Sequence, residues 1–435
     1  MGVLVINGPC RLSGHVRVAG AKNAALPILA ASLLCDRPFV LTNVPWVGDV
    51  ATMLQLLRGC GVGSSWRGSH ELELQPNVCV EAADQMRAVV AGRIRASFCL
   101  LGPLLARFGR ATLPLPGGCR IGPRPVDLHL EAMRRLGAEV RVEQGLVHAE
   151  SRQLRGAIIH LASRRGPTVT GTCNAMMAAV GAAGETVLFG AAREPEVVAL
   201  GRFLQACGVR IEGLGTSTLR IEGARLPLAP PLRYRLIADR IEAATWLCAA
   251  VATGGSITIS GTQPAHLEAV LGLLSRIGAR IEVNAHQIRV IAPRRPRAFL
   301  AVAQPYPGIP TDVQAQLAAV AAVAEGESEI RDTVFPTRWQ HVVQLRRLGA
   351  LARVAGDRCV IRGGQRLRGT DVEAVDLRAS AALVIAGLCA EGEVRVHGIE
   401  QLERGYEDLP HKLRMLGAQL KLRREPFPDA AVRAA

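Results

Sequence analysis

Six short segments of one design recur along the chain: LLRGCGV, MRRLGAE, LQACGVR, LSRIGAR, LRRLGAL and LRMLGAQ, with pivotal glycines Gly61, Gly137, Gly208, Gly278, Gly349 and Gly417. Successive glycines are 76, 71, 70, 71 and 68 residues apart. Unrelated loops have no reason to keep such a spacing, so it marks a repeated structural unit. Each glycine follows a stretch with apolar residues at i, i+3 and i+4 and precedes a strand-like run. That is where a helix ends in a left-handed residue.

Upstream, every unit carries an apolar, small-residue helix without a polar face: 24–34, 96–108, 174–183, 243–253, 313–324 and 379–390. Such helices must be buried. A short strand follows, as at 186–189, 256–259 and 393–396, then a loop, the amphipathic helix and a hairpin such as 356–362. Helical crossovers imply parallel pairing and the hairpins antiparallel pairing, so mixed sheets are expected. Six units of about 70 residues can stack as one solenoid or form two compact domains of three. The Pro-rich stretch 227–235 reads as the domain junction, and 424–435 as a frayed tail interrupted by Pro426 and Pro428.

The 435 residues are 49% hydrophobic and 20% charged, an ordinary globular balance for an α/β protein of two or three domains. A net charge of +15 invites a nucleic-acid reading, but only 3% of residues are aromatic and arginine is spread through nearly every segment. Base stacking is therefore excluded as the main role, and anionic small molecules or a solvated surface account for the charge. The eleven cysteines form no CxxC pair and no metal spacing with the ten histidines, which fits a reducing compartment and no metal. The opening MGVLVING lacks the features of a signal peptide, and apolar runs such as 313–324 are too short for a bilayer. A cytoplasmic protein without membrane insertion is expected.

Polar residues gather just before the buried helices: Lys22-Asn23, Arg95, 170–174, Asp239-Arg240, Asp312, and Asp376 with Arg378. The acidic and amide members read as helix caps. Lys22 and Arg95 do not, because a cation at a helix N-terminus opposes the dipole and needs an anion. A second concentration lies in the loops ahead of the amphipathic helices. The one at 116–125, PGGCRIGPRP, combines a thiol, glycines, prolines and arginines that would favour the thiolate of Cys119. Residue type alone leaves Cys119 open between a reactive thiol and a small buried apolar residue.

GAKNAALPIL at 20–29, RASFCLLGPLLARFG at 95–109, PGGCRIGPRPVDLH at 116–129, AAREPE at 191–196, DRIEA at 239–243, PTDVQAQ at 310–316, DLRAS at 376–380 and RGYE at 404–407 carry a family resemblance. The chain resembles the enolpyruvyl transferases, in particular those acting on UDP-N-acetylglucosamine, over nearly its whole length. The resemblance implies two inside-out α/β barrel domains, each of three βαβαββ-type repeats around buried central helices. One domain would span 20–232, and residues 1–19 would join 233–435 in the other.

The implied reaction is transfer of the enolpyruvyl group of phosphoenolpyruvate to the sugar's 3-hydroxyl, through a tetrahedral ketal, with release of phosphate and no cofactor. Lys22, Arg124 and Arg404 would hold phosphoenolpyruvate, with Arg95 and Arg378 lining the same cleft. Asp312 would take the hydroxyl proton, and Cys119 would act as acid, as nucleophile or in product release. Asn23 would meet the sugar, flanked by Val334 and Asp312. Arg124, Pro125, Val126, Asp127 and Leu128, together with Thr168, Val169 and Thr170, would meet the UDP moiety. Arg338 and Asp376 would support the cleft. Arginines at 164–165, where some relatives carry a nucleotide-contacting lysine, depart from the pattern. Transfer to shikimate 3-phosphate and a non-catalytic UDP-sugar-binding role are the alternatives. The sequence does not set the oligomeric state.

Overall fold

The computed structural model describes residues 2–77, 94–116 and 125–424. The six apolar stretches are helices, at Lys22–Ala31, Leu101–Phe108, Val169–Val180, Arg240–Ala252, Gln314–Val323 and Leu377–Cys389. Their burial follows from their composition. In Leu377–Cys389 every residue through Leu388 is buried, and in Val169–Val180 every residue from Gly171 on. Small side chains let these helices approach closely: a Cβ on Gly102 would stand 2.3 Å from the carbonyl oxygen of Asn174. Each of the larger apolar side chains buried around them contributes about 1.5–3 kcal/mol.

The amphipathic helices are Gly48–Gly59, Asp127–Arg135, Pro195–Ala206, Glu268–Arg276, Gln340–Arg347 and Leu409–Met415. All six pivotal glycines close them at φ between +85° and +112°, the left-handed region the sequence reading assigned them.

The sheets are mixed and repeat one plan. In the fifth unit Glu327–Asp332 runs parallel to Leu300–Ala303 and antiparallel to Arg358–Arg362, which forms a hairpin with Leu351–Ala355. The third and fourth units have the same order. In the first, third, fourth, fifth and sixth sheets the parallel strand comes from the chain that leaves another unit's hairpin. Two closures follow from this. Arg233–Arg235, leaving the third unit, runs parallel to Phe39–Thr42 of the first. Ser13–Arg17 runs parallel to Ser256–Ser260 of the fourth. In the sixth sheet the place of the second hairpin strand is taken by Gly2–Gly8, antiparallel to both Gly392–His397 and Gln419–Arg424.

The chain thus divides into two compact units. One contains residues 20–77, 94–116 and 125–237, the other 2–19 and 238–424. Each has its own apolar core around its three buried helices. Two sequence boundaries move. The break placed at 232/233 falls after Ile237, because Arg233–Arg235 completes the first unit's sheet. Arg424, assigned to the tail, is the last residue of a strand and faces Gly2.

Candidate active site

In the first unit, Lys22 opens the helix Lys22–Ala31, which has no side-chain cap at its N-terminus. Its ammonium meets Asp49 Oδ2 at 2.9 Å, with both side chains at least nine-tenths buried. Asp49 lies in the first turn of Gly48–Gly59, where a carboxylate also suits the dipole. The anion that Lys22 requires is thus supplied from within the fold. Asn23, next in sequence, is exposed.

Arg95 Nη2 donates to the carbonyl of Pro125 at 3.3 Å, so it sits against the stretch 125–128 that leads into Asp127–Arg135. Pro125 and Asp127 are exposed, and Val126 and Leu128 half-buried. Thr168 caps Val169–Val180 by accepting from the Gly171 amide at 3.2 Å. Val169 is exposed and Thr170 half-buried. Behind them lies His129, bonded to Thr170 Oγ1 at 3.2 Å and to Asn174 Nδ2 at 2.9 Å. Burial, with Arg95 adding to it, lowers the His129 pKa to about 3. Arg164 and Arg165 are exposed at the tip of the short hairpin Ala162–Ser163/Gly166–Pro167.

In the second unit the carboxylate of Asp312 sits in the 3-10 turn Thr311–Val313, ahead of Gln314–Val323. Arg338 Nη1 donates to one oxygen at 2.8 Å and Arg378 Nη2 to the other at 3.2 Å. Both arginine side chains are about 95% buried, whereas 29% of the Asp312 side chain is exposed. Two fixed cations therefore hold one accessible carboxylate. A carboxylate oxygen can accept more than one hydrogen bond, so contact with an arginine does not by itself bar one from a hydroxyl.

The supports are built from neighbouring elements. Asp376 caps Leu377–Cys389 through the amides of Arg378 and Ala379 and lies 3.9 Å from Arg338. Arg338 also donates to Thr311 O and Oγ1. Asp332 accepts from Thr311 Oγ1 at 2.6 Å and from the amides of Val334 and Phe335, tying Val334 to the Asp312 turn. Burial pushes the Asp332 carboxyl up, against the pull of these bonds. Arg378 lies over the Tyr406 ring at 5.3 Å. Burial works against the Arg378 charge, but Tyr406, Asp312 and Asp239 outweigh it and leave its pKa above the ordinary value. Arg404 donates to Gln401 Oε1 at 3.2 Å. Cys119 and Arg124 lie outside the described residues. No three His, Cys, Asp or Glu side chains among the described residues are grouped to hold a metal.

A sequence model of the EPSP synthase family (3-phosphoshikimate 1-carboxyvinyltransferase) matches residues 6–413. The chain belongs to this family of enolpyruvyl transferases. Within it, the UDP-N-acetylglucosamine 1-carboxyvinyltransferase of Halorhodospira halophila (strain DSM 244 / SL1) is 43% identical over 419 residues, 96% of this chain and 98% of that protein. The enolpyruvyl transferase NikO from Streptomyces tendae has a crystal structure that superposes with a TM-score of 0.87 at 28% identity, covering 98% of this chain and 99% of that one. An EPSP synthase from Acinetobacter baumannii gives a TM-score of 0.72 at 18% identity, covering 97% and 100%, a likeness of fold.

For an enolpyruvyl transferase the second unit thus offers one accessible carboxylate gripped by two cations, and the first a lysine and an arginine beside exposed loop residues. Sequence reasoning missed three supports. Asp49, in the first turn of Gly48–Gly59, and Asp332, at the end of Glu327–Asp332, lie in none of the motifs the sequence singles out. His129 lies inside a matching stretch, but its partner Asn174 is 45 positions away.

Proposed function

We propose that the chain transfers the enolpyruvyl group of phosphoenolpyruvate to the 3-hydroxyl of UDP-N-acetylglucosamine. The observation that carries this choice is the 43% identity, spread over 96% of the chain, to the protein of that activity from H. halophila. The family's printed description names the shikimate enzyme, but the EPSP synthase likeness at 18% identity speaks only for the fold.

In this reading Asp312 accepts the proton as the sugar oxygen bonds to C2 of phosphoenolpyruvate, while C3 gains a proton and becomes a methyl group. The ketal then loses a proton from C3 as the C2–O bond to phosphate breaks, giving the enolpyruvyl ether and inorganic phosphate. Arg338 and Arg378 keep the Asp312 carboxylate aimed. Lys22, Arg124 and Arg404 bind the phosphate and carboxylate of phosphoenolpyruvate, for which fixed cations are the suited partners. Cys119 serves the protonation of C3 or the release of product. The product feeds peptidoglycan precursor synthesis, in the cytoplasm, and so cell-wall growth.

The test is phosphate release by purified protein. Release with phosphoenolpyruvate and UDP-N-acetylglucosamine is expected. Release with shikimate 3-phosphate instead, or none with either acceptor, would overturn the reading.

A further inference from the structure

The hydrogen positions around His129 follow from one backbone amide. Gly102 N–H can only donate, and its acceptor at 2.9 Å is Asn174 Oδ1. The Asn174 amide is therefore oriented with Nδ2 toward the carbonyl of Phe98, an acceptor at 2.7 Å, and toward His129 Nδ1 at 2.9 Å. Nδ2 has only hydrogens to offer, so Nδ1 must accept and the imidazole hydrogen must be on Nε2. Nε2–H then donates to Thr170 Oγ1 at 3.2 Å.

The consequence falls on Thr170. Its oxygen already accepts from His129, and its own hydrogen has no acceptor among the described residues. His129 and Asn174 are almost fully buried, at 1% and 0% exposure, whereas Thr170 is half-buried and can meet a ligand. It stands in the first turn of Val169–Val180, where partial positive charge already favours an anionic oxygen. The Phe98 ring packs edge-on against the imidazole, 5.2 Å between centroids, and holds its plane.

We propose that His129 is a positioning residue for the sugar nucleotide: fixed by Asn174 with its hydrogen on Nε2, it turns the Thr170 hydroxyl hydrogen outward to an anionic oxygen of the substrate. This rests on the reading of the chain as a UDP-N-acetylglucosamine enzyme. The relay starts at Gly102 and ends at Thr170, so a rigid helix contact dictates the direction of a hydroxyl at the site.

Steady-state kinetics and imidazole 15N NMR on the full chain test this. Thr170→Val should raise KM for UDP-N-acetylglucosamine about tenfold, the worth of one hydrogen bond to a charged group, with much smaller changes in kcat and in KM for phosphoenolpyruvate. Thr170→Ser should restore the original KM. His129→Leu should match Thr170→Val, and the double variant should be no worse than either single one, because both remove the same interaction. Multiplying effects, or an unchanged KM in Thr170→Val, would overturn the proposal. The NMR needs no variant and no turnover: shifts of an Nε2-protonated ring support it, and an Nδ1-protonated or doubly protonated ring at pH 7 refutes it. Failure of the substrate assignment shows instead as absent phosphate release from the unaltered enzyme.

Discussion

Lys22 and Asp49 form an ion pair of 2.9 Å between the first turns of two helices, inside the first unit. Removing one member leaves the other charged, buried and poorly compensated, which costs about 3–5 kcal/mol. Asp49→Ala should therefore lower the urea midpoint markedly. Lys22→Met combined with Asp49→Ala should recover much of the loss, because no charge is then stranded. Equal stability of Asp49→Ala and the unaltered protein would show that the pair is not what keeps Lys22 buried.

Asp312→Asn keeps the shape of the side chain and removes its basicity. A positioned general base contributes roughly a hundredfold to ten-thousandfold, so kcat should fall by at least the lower figure, with circular dichroism unchanged. Near-normal turnover would assign the proton to another acceptor.

Two buried imidazoles make stability depend on pH. Burial lowers the His129 pKa to about 3 and the His341 pKa to about 4. The unfolded chain binds these protons near pH 6.5, so between that value and the lowered ones the unfolded state holds more protons. Their contribution is full above pH 6.5 and is lost as pH falls toward 4 and then 3. His341 Nε2 has no hydrogen-bond partner among the described residues. His341→Leu should flatten the decline in urea midpoint between pH 6.5 and 4, and an unaltered slope would contradict its burial in uncharged form.

Thiol chemistry should be selective. Burial pushes the thiols of Cys60, Cys99, Cys248, Cys359 and Cys389 up to about 12, and raises that of Cys173 well above the usual thiol value. Cys35 is raised as well, through its hydrogen bond with Cys207. Thiolate is the attacking form, so these groups should resist alkylation at pH 7 until the protein unfolds. The epoxide fosfomycin should instead add one adduct, mapped by mass spectrometry to Cys119. An adduct on a buried thiol would refute the assignment.

The repeat was legible in the sequence because its two signals, an apolar helix and a glycine-terminated amphipathic one, are local. The left-handed glycines from Gly61 to Gly417 needed nothing beyond neighbouring residues. The closure of each unit was not legible from pattern alone. Ser13–Arg17 pairs with Ser256–Ser260 and Arg233–Arg235 with Phe39–Thr42, and short strands carry no mark of their distant partners. The site divides in the same way. Asp312 and Arg378 stand out as polar residues at the starts of apolar helices, whereas Asp49, Asp332 and Asn174 acquire their meaning only when the fold brings a partner to them.

In the sixth sheet two strands far apart in sequence, Gly2–Gly8 and Gln419–Arg424, stand where the fifth has a hairpin. Gly2 faces Arg424 as Ala355 faces Arg358 across the fifth hairpin, and Gly2 N–H donates to Glu400 Oε1 from 398 positions away. During synthesis the unit that ends at Ile237 can close before the rest has emerged, while strands Gly2–Gly8 and Ser13–Arg17 wait for partners made much later. Such a long-range closure is slow to form. A circular permutant joining 424 to 2 through a short linker and opening at Gly356-Asp357 would keep the strand pairings but move the wait: Arg358–Arg362 would then come first and meet Glu327–Asp332 and Leu351–Ala355 only at the other end of the chain.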